Sequence, residues 1–271
     1  MSMKTVPNEL KRMLSAKYDF VCSVGCDCGC AWHLVNNRLR IASYPLDWIM
    51  SWRLGITGIA RLVSSDFSGF LELENLRKEP NPPRGSNDDH EHDWYIDPVV
   101  GVDFVHDFPI GVPPEESYPA VLEKYRRRID RFYQSIRESS RTLLVHWTWR
   151  NSPEPDAILK AAEIFRTKFP ARRIDLLVMR HSDLQGIRPA VVGNGVFLID
   201  GPFHPTGGHP AFGDAEINRK VFSCIRLRGK RRRRLREKFE LILLRLVSAF
   251  IFNRERRHAY RERHSQKKNE I

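Results

Sequence analysis

The run Ser23-Val24-Gly25-Cys26-Asp27-Cys28 sets a thiol where a short apolar strand gives way, through a glycine turn, to the start of a helix. Unpaired amides at a helix N-terminus favour an anion, so a cysteine there holds its thiolate at neutral pH more readily than an isolated one. The same amides can stabilise the oxyanion of a tetrahedral intermediate. Cys28 is therefore a candidate nucleophile; the competing reading is a small core residue in a buried turn. A thiol nucleophile needs a base. His106 lies in Val102-Asp103-Phe104-Val105-His106-Asp107-Phe108, whose alternation points it the same way as Val102, Phe104 and Phe108. That face should be buried, with Asp107 on the other. A ring there requires a partner, which a base beside a thiol and a core histidine on a backbone carbonyl would both have.

Two other clusters invite a ligand. Cys26, Cys28 and Cys30 share a face in an extended chain but splay apart on a helix, and the Cys-x-x-Cys spacing of zinc sites is absent. Asp88-Asp89-His90-Glu91-His92-Asp93 offers imidazoles and carboxylates, but in a polar loop where such groups are ordinarily solvated. No metal and no cofactor is expected. His204, Gly207, Gly208 and His209 sit in a turn-rich loop that matches no phosphate-binding pattern.

The elements that must position Cys28 and His106 are legible from periodicity. Asp19 to Val24 reads as a buried strand, with a helix beginning near Cys28 and another from Leu54 to Val63. Asn75 to Asp93 is polar and Pro-rich, a loop by composition. Tyr118, Val121, Leu122, Tyr125, Ile129, Phe132, Tyr133 and Ile136 recur at helical spacing, leaving Arg126, Arg127 and Arg128 as a solvated face. Thr142 to Trp149 is a strand. Ser152 can cap the next helix, with Pro153 at its first position. Arg173 to Met179 and Gly195 to Asp200 are buried strands, and Asp214 to Cys224 is a last helix. Alternating strands and helices argue for an α/β fold, a mixed central sheet with flanking helices.

Charge divides the chain. Of 45 Lys and Arg, 17 lie from Arg226 onward with 5 of the 33 acidic residues, so the tail carries the whole net charge of +12 and residues 1–225 balance. Within the tail Leu235, Phe239, Ile242, Leu243, Leu246, Val247 and Phe250 recur at helical spacing between Arg clusters. Such an amphipathic C-terminal helix suits an anionic membrane surface, where each basic residue contributes about 1 kcal/mol. Docking on the body competes with that reading. Nucleic acid is disfavoured, since aromatics for base stacking are sparse there. The expected organisation is a body at 1–225 and a basic tail at 226–271. The N-terminus lacks the apolar core of a secretory signal, and four of the five Cys crowd between Cys22 and Cys30. A reducing cytoplasm is expected, at the inner membrane face where the tail engages it.

Ser23-Val24-Gly25-x-x-Cys28, Ala31, Leu34, Leu39-Arg40 and Ser43-Tyr44-Pro45-Leu46-Asp47-Trp48-Ile49 resemble the papain-like cysteine peptidase family that is still catalogued as a domain of unknown function. Phe104-x-His106-Asp107-Phe108 and the Tyr125–Phe132 helix continue the resemblance, which spans about Tyr18 to Cys224. Leu46 stands where the family more often has Phe, and Val24 where it often has Leu. The resemblance implies a cysteine-type hydrolase acting on a peptide, amide or acyl substrate, with Cys28 as nucleophile and His106 as base. It points to Asp47 as third member through the Pro-x-Asp-Trp motif. A carboxylate between Pro45 and Trp48 can equally hold a turn, and Asn151 is the alternative. The segment Ala249–Glu262 is similar to a basic motif ending bacterial surface-glycan glycosyltransferases, which implies an envelope-polysaccharide setting. A non-catalytic accessory protein of glycan synthesis is the rival from another class.

Overall fold

Phe20-Val21-Cys22-Ser23 is apolar toward both sides, as a strand must be when both faces of its sheet are covered. In the computed structural model, which describes residues 8–82, 91–149, 151–203 and 214–229, it is a buried strand at a sheet edge. The first half of the chain forms α1 (Asn8–Met13), β1 (Lys17–Tyr18), β2 (Phe20–Ser23), α2 (Cys28–Asn36), β3 (Ile49–Met50), α3 (Gly55–Ser64), β4 (Arg77–Lys78), β5 (His92–Asp97) and β6 (Val102–Pro109). The second half forms α4 (Pro114–Glu138), β7 (Arg141–Thr148), α5 (Pro155–Lys168), β8 (Arg173–His181), β9 (Arg188–Gly193), β10 (Val196–Gly201), α6 (Ala215–Cys224) and β11 (Arg226–Leu227).

The central sheet has the order β2-β7-β8-β10-β9, parallel except for the antiparallel edge strand β9. Its side chains alternate between two apolar layers. Leu144, Leu176, Val178 and Leu198 face a layer that holds α3, α4, α5 and the antiparallel sheet β3-β6-β5-β4, with Phe104 and Phe108 at its heart. Leu143, Val145, Trp147, Leu177, Met179 and Ile199 face the opposite layer, against Leu10 of α1, Cys30 and Leu34 of α2, and Val221 and Phe222 of α6. The mixed α/β class with flanking helices is as expected. A parallel clasp of β1 with β11 carries the body past Ile225: Tyr18 pairs Leu227, and the Arg228 amide donates to the Tyr18 carbonyl at 2.8 Å.

Two local expectations differ, and one strand, β9, was not foreseen. β4 and β5 lie partly in the segment read as loop. Their carboxylates have local partners, Asp93 in Lys78 at 2.7 Å and Asp97 through Oδ1 in the amides of Val99 and Val100, which offsets part of the cost of burying a charged stretch. β9 lacks alternation because it is an edge, where Pro189 is tolerated. α5 begins two residues later than Ser152 and Pro153 suggest: Glu154 is its N-cap, and the Ser152 hydroxyl instead donates to the His181 carbonyl at 3.4 Å.

Candidate active site

β2 ends at Ser23, but its pairing with β7 continues into the turn. The Val24 amide donates to the Val145 carbonyl at 2.8 Å, and the Cys26 amide to the Trp147 carbonyl at 3.3 Å. Gly25 lies between them at φ +87°, and a side chain there would strike Ser51 Oγ and Ile59 Cδ1. Both the dihedral and the space demand glycine. Ser51, just past β3, closes the turn from the other side by donating its amide to the Cys26 carbonyl at 2.7 Å.

Asp27 is the N-cap of α2. Its Oδ1 accepts the Gly29 amide at 2.8 Å, and its Oδ2 accepts the Trp149 indole N–H at 3.0 Å. Cys28 is thereby the first residue of α2, and it is 5% exposed. The Gly29 amide is used by the cap, so the oxyanion role expected of the helix start is narrowed to other amides of the turn. Neighbouring thiols are chemically quiet. Burial pushes Cys22 and Cys30 up, with the Asp47 charge adding to the effect, so both stay protonated.

His106 departs from the alternation expected of it. Against β5, β6 fits three residues, Val105 to Asp107, opposite the single Trp94, because Asp93 pairs Phe108 while Tyr95 pairs Phe104. That bulge re-aims the side chains. Asp107, expected on the other face, is the buried group: it accepts the Tyr125 hydroxyl at 2.8 Å and pairs Lys124 at 2.5 Å. His106 is half-buried, with its ring edge-on to Trp48 at 6.3 Å between centroids.

Asp47 is fully buried and occupied. Its Oδ2 accepts the Tyr44 amide at 2.8 Å and Arg40 Nε at 2.7 Å, and its Oδ1 has no hydrogen-bond partner. Burial raises its carboxyl, with Arg40 as the main opposing influence. Arg40 in turn lies over the Trp48 ring at 5.3 Å. The structure thus brings Asp47, Arg40, Trp48 and His106 into one chain of contacts, in which Asp47 holds a turn. Asn151, the alternative, is exposed at φ +48° and donates Nδ2 to the Trp52 carbonyl at 3.2 Å.

Cys28 and His106 belong to different layers. α2 packs on one face of the central sheet and β6 on the other. Among the described residues β2 is the edge strand of that sheet; Tyr44, Leu46 and Ile49 pack in the layer of Phe104 and Phe108, and Ser51 beyond them bonds the turn. Asp47 acts electrostatically on both Cys22 and Cys30, which face opposite layers, and Ser51 reaches Cys26 while Trp48 reaches His106.

Sequence reasoning passed over His146. It is fully buried, its Nδ1 lies 3.1 Å from the Val24 carbonyl, and burial lowers its pKa to about 4. A neutral ring therefore holds the base of the nucleophile turn by donating to that carbonyl. Trp149 was equally invisible, since its contact spans 122 residues. Asp27, by contrast, has the residue type and position of an N-cap.

Asp88, Asp89 and His90, the His204–His209 loop and the tail from Lys230 lie outside the described residues. Among the described residues no three His, Cys, Asp or Glu side chains converge to hold an ion. No described helix is long and apolar enough to cross a membrane. The profile of the family described as "Putative papain-like cysteine peptidase" matches residues 19–172. An uncharacterised protein of Acanthamoeba polyphaga mimivirus, R408, is 33% identical over 121 residues, covering 41% of this chain and 53% of that protein. The chain thus spans about half the length of this relative. No solved structure matches.

Proposed function

We propose that this chain, which belongs to the papain-like cysteine peptidase family just described, is a thiol-dependent hydrolase or acyl-transfer enzyme with Cys28 as nucleophile and His106 as base. The observation that carries the reading is Cys28 at the first position of a capped helix, on a turn clasped by β7, Ser51 and Trp149. In the proposed reaction His106 takes the thiol proton and the sulfur attacks an acyl carbon. Amides of the turn meet the developing oxyanion; its collapse breaks the bond to the amine or alcohol, which leaves with the proton from His106, and water or another nucleophile then releases the acyl group from the Cys28 thioester. Asp47 serves as a positioning residue, holding Arg40 and hence Trp48 against the imidazole. The basic tail rests on an anionic membrane surface at its cytoplasmic side, in an envelope-polysaccharide setting.

Alkylation by iodoacetamide as a function of pH tests the site. A reactive thiol that titrates well below about 8.5, disappears in Cys28→Ser and reverts toward the ordinary value in His106→Ala is the expected result. A Cys28 that behaves as an isolated thiol and ignores His106→Ala removes the enzyme reading.

The second reading is a non-catalytic accessory protein. Two observations favour it: Cys28 is 5% exposed, and α2 and β6 pack on opposite faces of the central sheet.

A further inference from the structure

Cys28, Trp32 and Asn36 follow one another at four-residue intervals on α2, so they form a single stripe down the helix. Beside the lower part of that stripe α6 approaches, its Phe222 stacked on the His33 ring at 5.5 Å between centroids. Between the two helices lies an open cavity of about 340 Å³, lined by Trp32, His33, Asn36, Asn37, Glu216 and Arg219. Ligand pockets begin at about 300 Å³, so the space suits one or two small rings.

The lining has a consistent chemistry. Trp32 is half-buried and supplies the broad apolar surface. Around it stand the planar polar groups of Asn36, Glu216 and Arg219, all three exposed. Asn both donates and accepts, Glu accepts and Arg only donates. A ligand answering this set has an apolar face to lie on the indole and, at its rim, several groups that each donate and accept. Hydroxyls on a sugar ring do this. A peptide chain offers fewer such rim groups, and a phosphate would face Glu216, whose carboxyl is held low first by its bond to Lys220.

We infer that the α2–α6 cavity is a subsite for a neutral saccharide ring, stacked on Trp32 and hydrogen-bonded by Asn36, Glu216 and Arg219. Side chains on a helix lean toward its N-terminus, so Trp32 covers the turn leading up to Cys28. Within the thiol-hydrolase reading, on which this part of the inference rests, the saccharide would be one portion of the substrate, with its acyl group one to two helical turns away.

Saturation-transfer NMR on the full chain carrying Cys28→Ala, with glucose, galactose, N-acetylglucosamine and their disaccharides as probes, tests binding without any thiol chemistry. At least one probe is expected to bind, about tenfold more weakly in Trp32→Ala. The exposed-residue variants Asn36→Ala and Arg219→Ala, which cannot empty the core, should weaken it as well. Binding by none of the sugars, or binding that is unchanged in all three variants, overturns the subsite. A short polar peptide that binds there while the sugars do not overturns the ligand class. Alkylation of Cys28, measured separately, reports on the nucleophile whatever the sugars do.

Discussion

At the scale of the residue, two buried ionisable groups control how the site responds to its surroundings. His146 titrates at about 4 in the folded chain against an ordinary value near 6.5, because burial disfavours its charged form. A depressed value means the unfolded chain takes up the proton first. The stabilisation is complete above about pH 6.5 and is lost as pH falls toward 4, to the extent of about 3 kcal/mol. Urea unfolding across that range should show the slope, and His146→Gln should flatten it. An unchanged slope would place the acid sensitivity elsewhere. Asp47 has the opposite sense: a carboxyl raised by burial favours the folded state at low pH and withdraws that help as pH climbs through its raised value. Removing it still harms the fold, since Arg40, whose side chain is 8% exposed, would be left buried and unpaired. Asp47→Ala should cost about 3–5 kcal/mol, and adding Arg40→Leu should recover part of that. Equal stability of the single and double variants would deny the coupling.

At the scale of the element, the turn between β2 and α2 is the most constrained stretch. Gly25→Ala adds a methyl group at positive φ and drives it into Ser51 and Ile59. The expected cost is about 1–3 kcal/mol from crowding, with a further 1 or so from the dihedral. A thermal melt measures the loss, and the iodoacetamide rate of Cys28 should fall with it, whereas Gly111→Ala, at a glycine with open space around it, should leave that rate alone. This turn was legible in the sequence because the glycine and the apolar run before it are local signals; Asp27 is a further local signal, of N-cap type, that went unused. β6 was legible as a strand, but the direction of His106 was not. A bulge is a mismatch with the partner strand, and neither β5 nor the pairing of Asp93 with Phe108 can be read from the 102–109 segment. Trp149, Ser51 and His146 escaped notice for the same reason. Each acts on residues far away in sequence, and a single indole or imidazole carries no mark of its partner.

At the scale of the whole molecule, charge and fold separate. Residues 1–225 are electrically balanced, and the +12 resides in the tail. Backbone pairing nonetheless carries the body through Arg228, so the informative truncation ends at Gly229 and keeps the β1–β11 clasp. The full chain is expected to sediment with anionic liposomes, and the 1–229 form should not. Equal sedimentation would take the membrane proposal away from the tail.

Among the described residues β2 pairs in the central sheet with β7 alone, some 120 residues later. During synthesis on a ribosome the segment from Cys22 to Cys30 therefore emerges long before the strand that shelters it, and four sulfurs spend that interval within a few residues of one another. Nothing in the nascent chain yet raises the burial cost that keeps Cys22 and Cys30 protonated in the finished protein. Refolding from denaturant should accordingly give native protein in the presence of a reductant and scrambled, cross-linked chains without one. The order in which the strands are made leaves these thiols uncovered longest, and that is the reason a reductant should decide the yield.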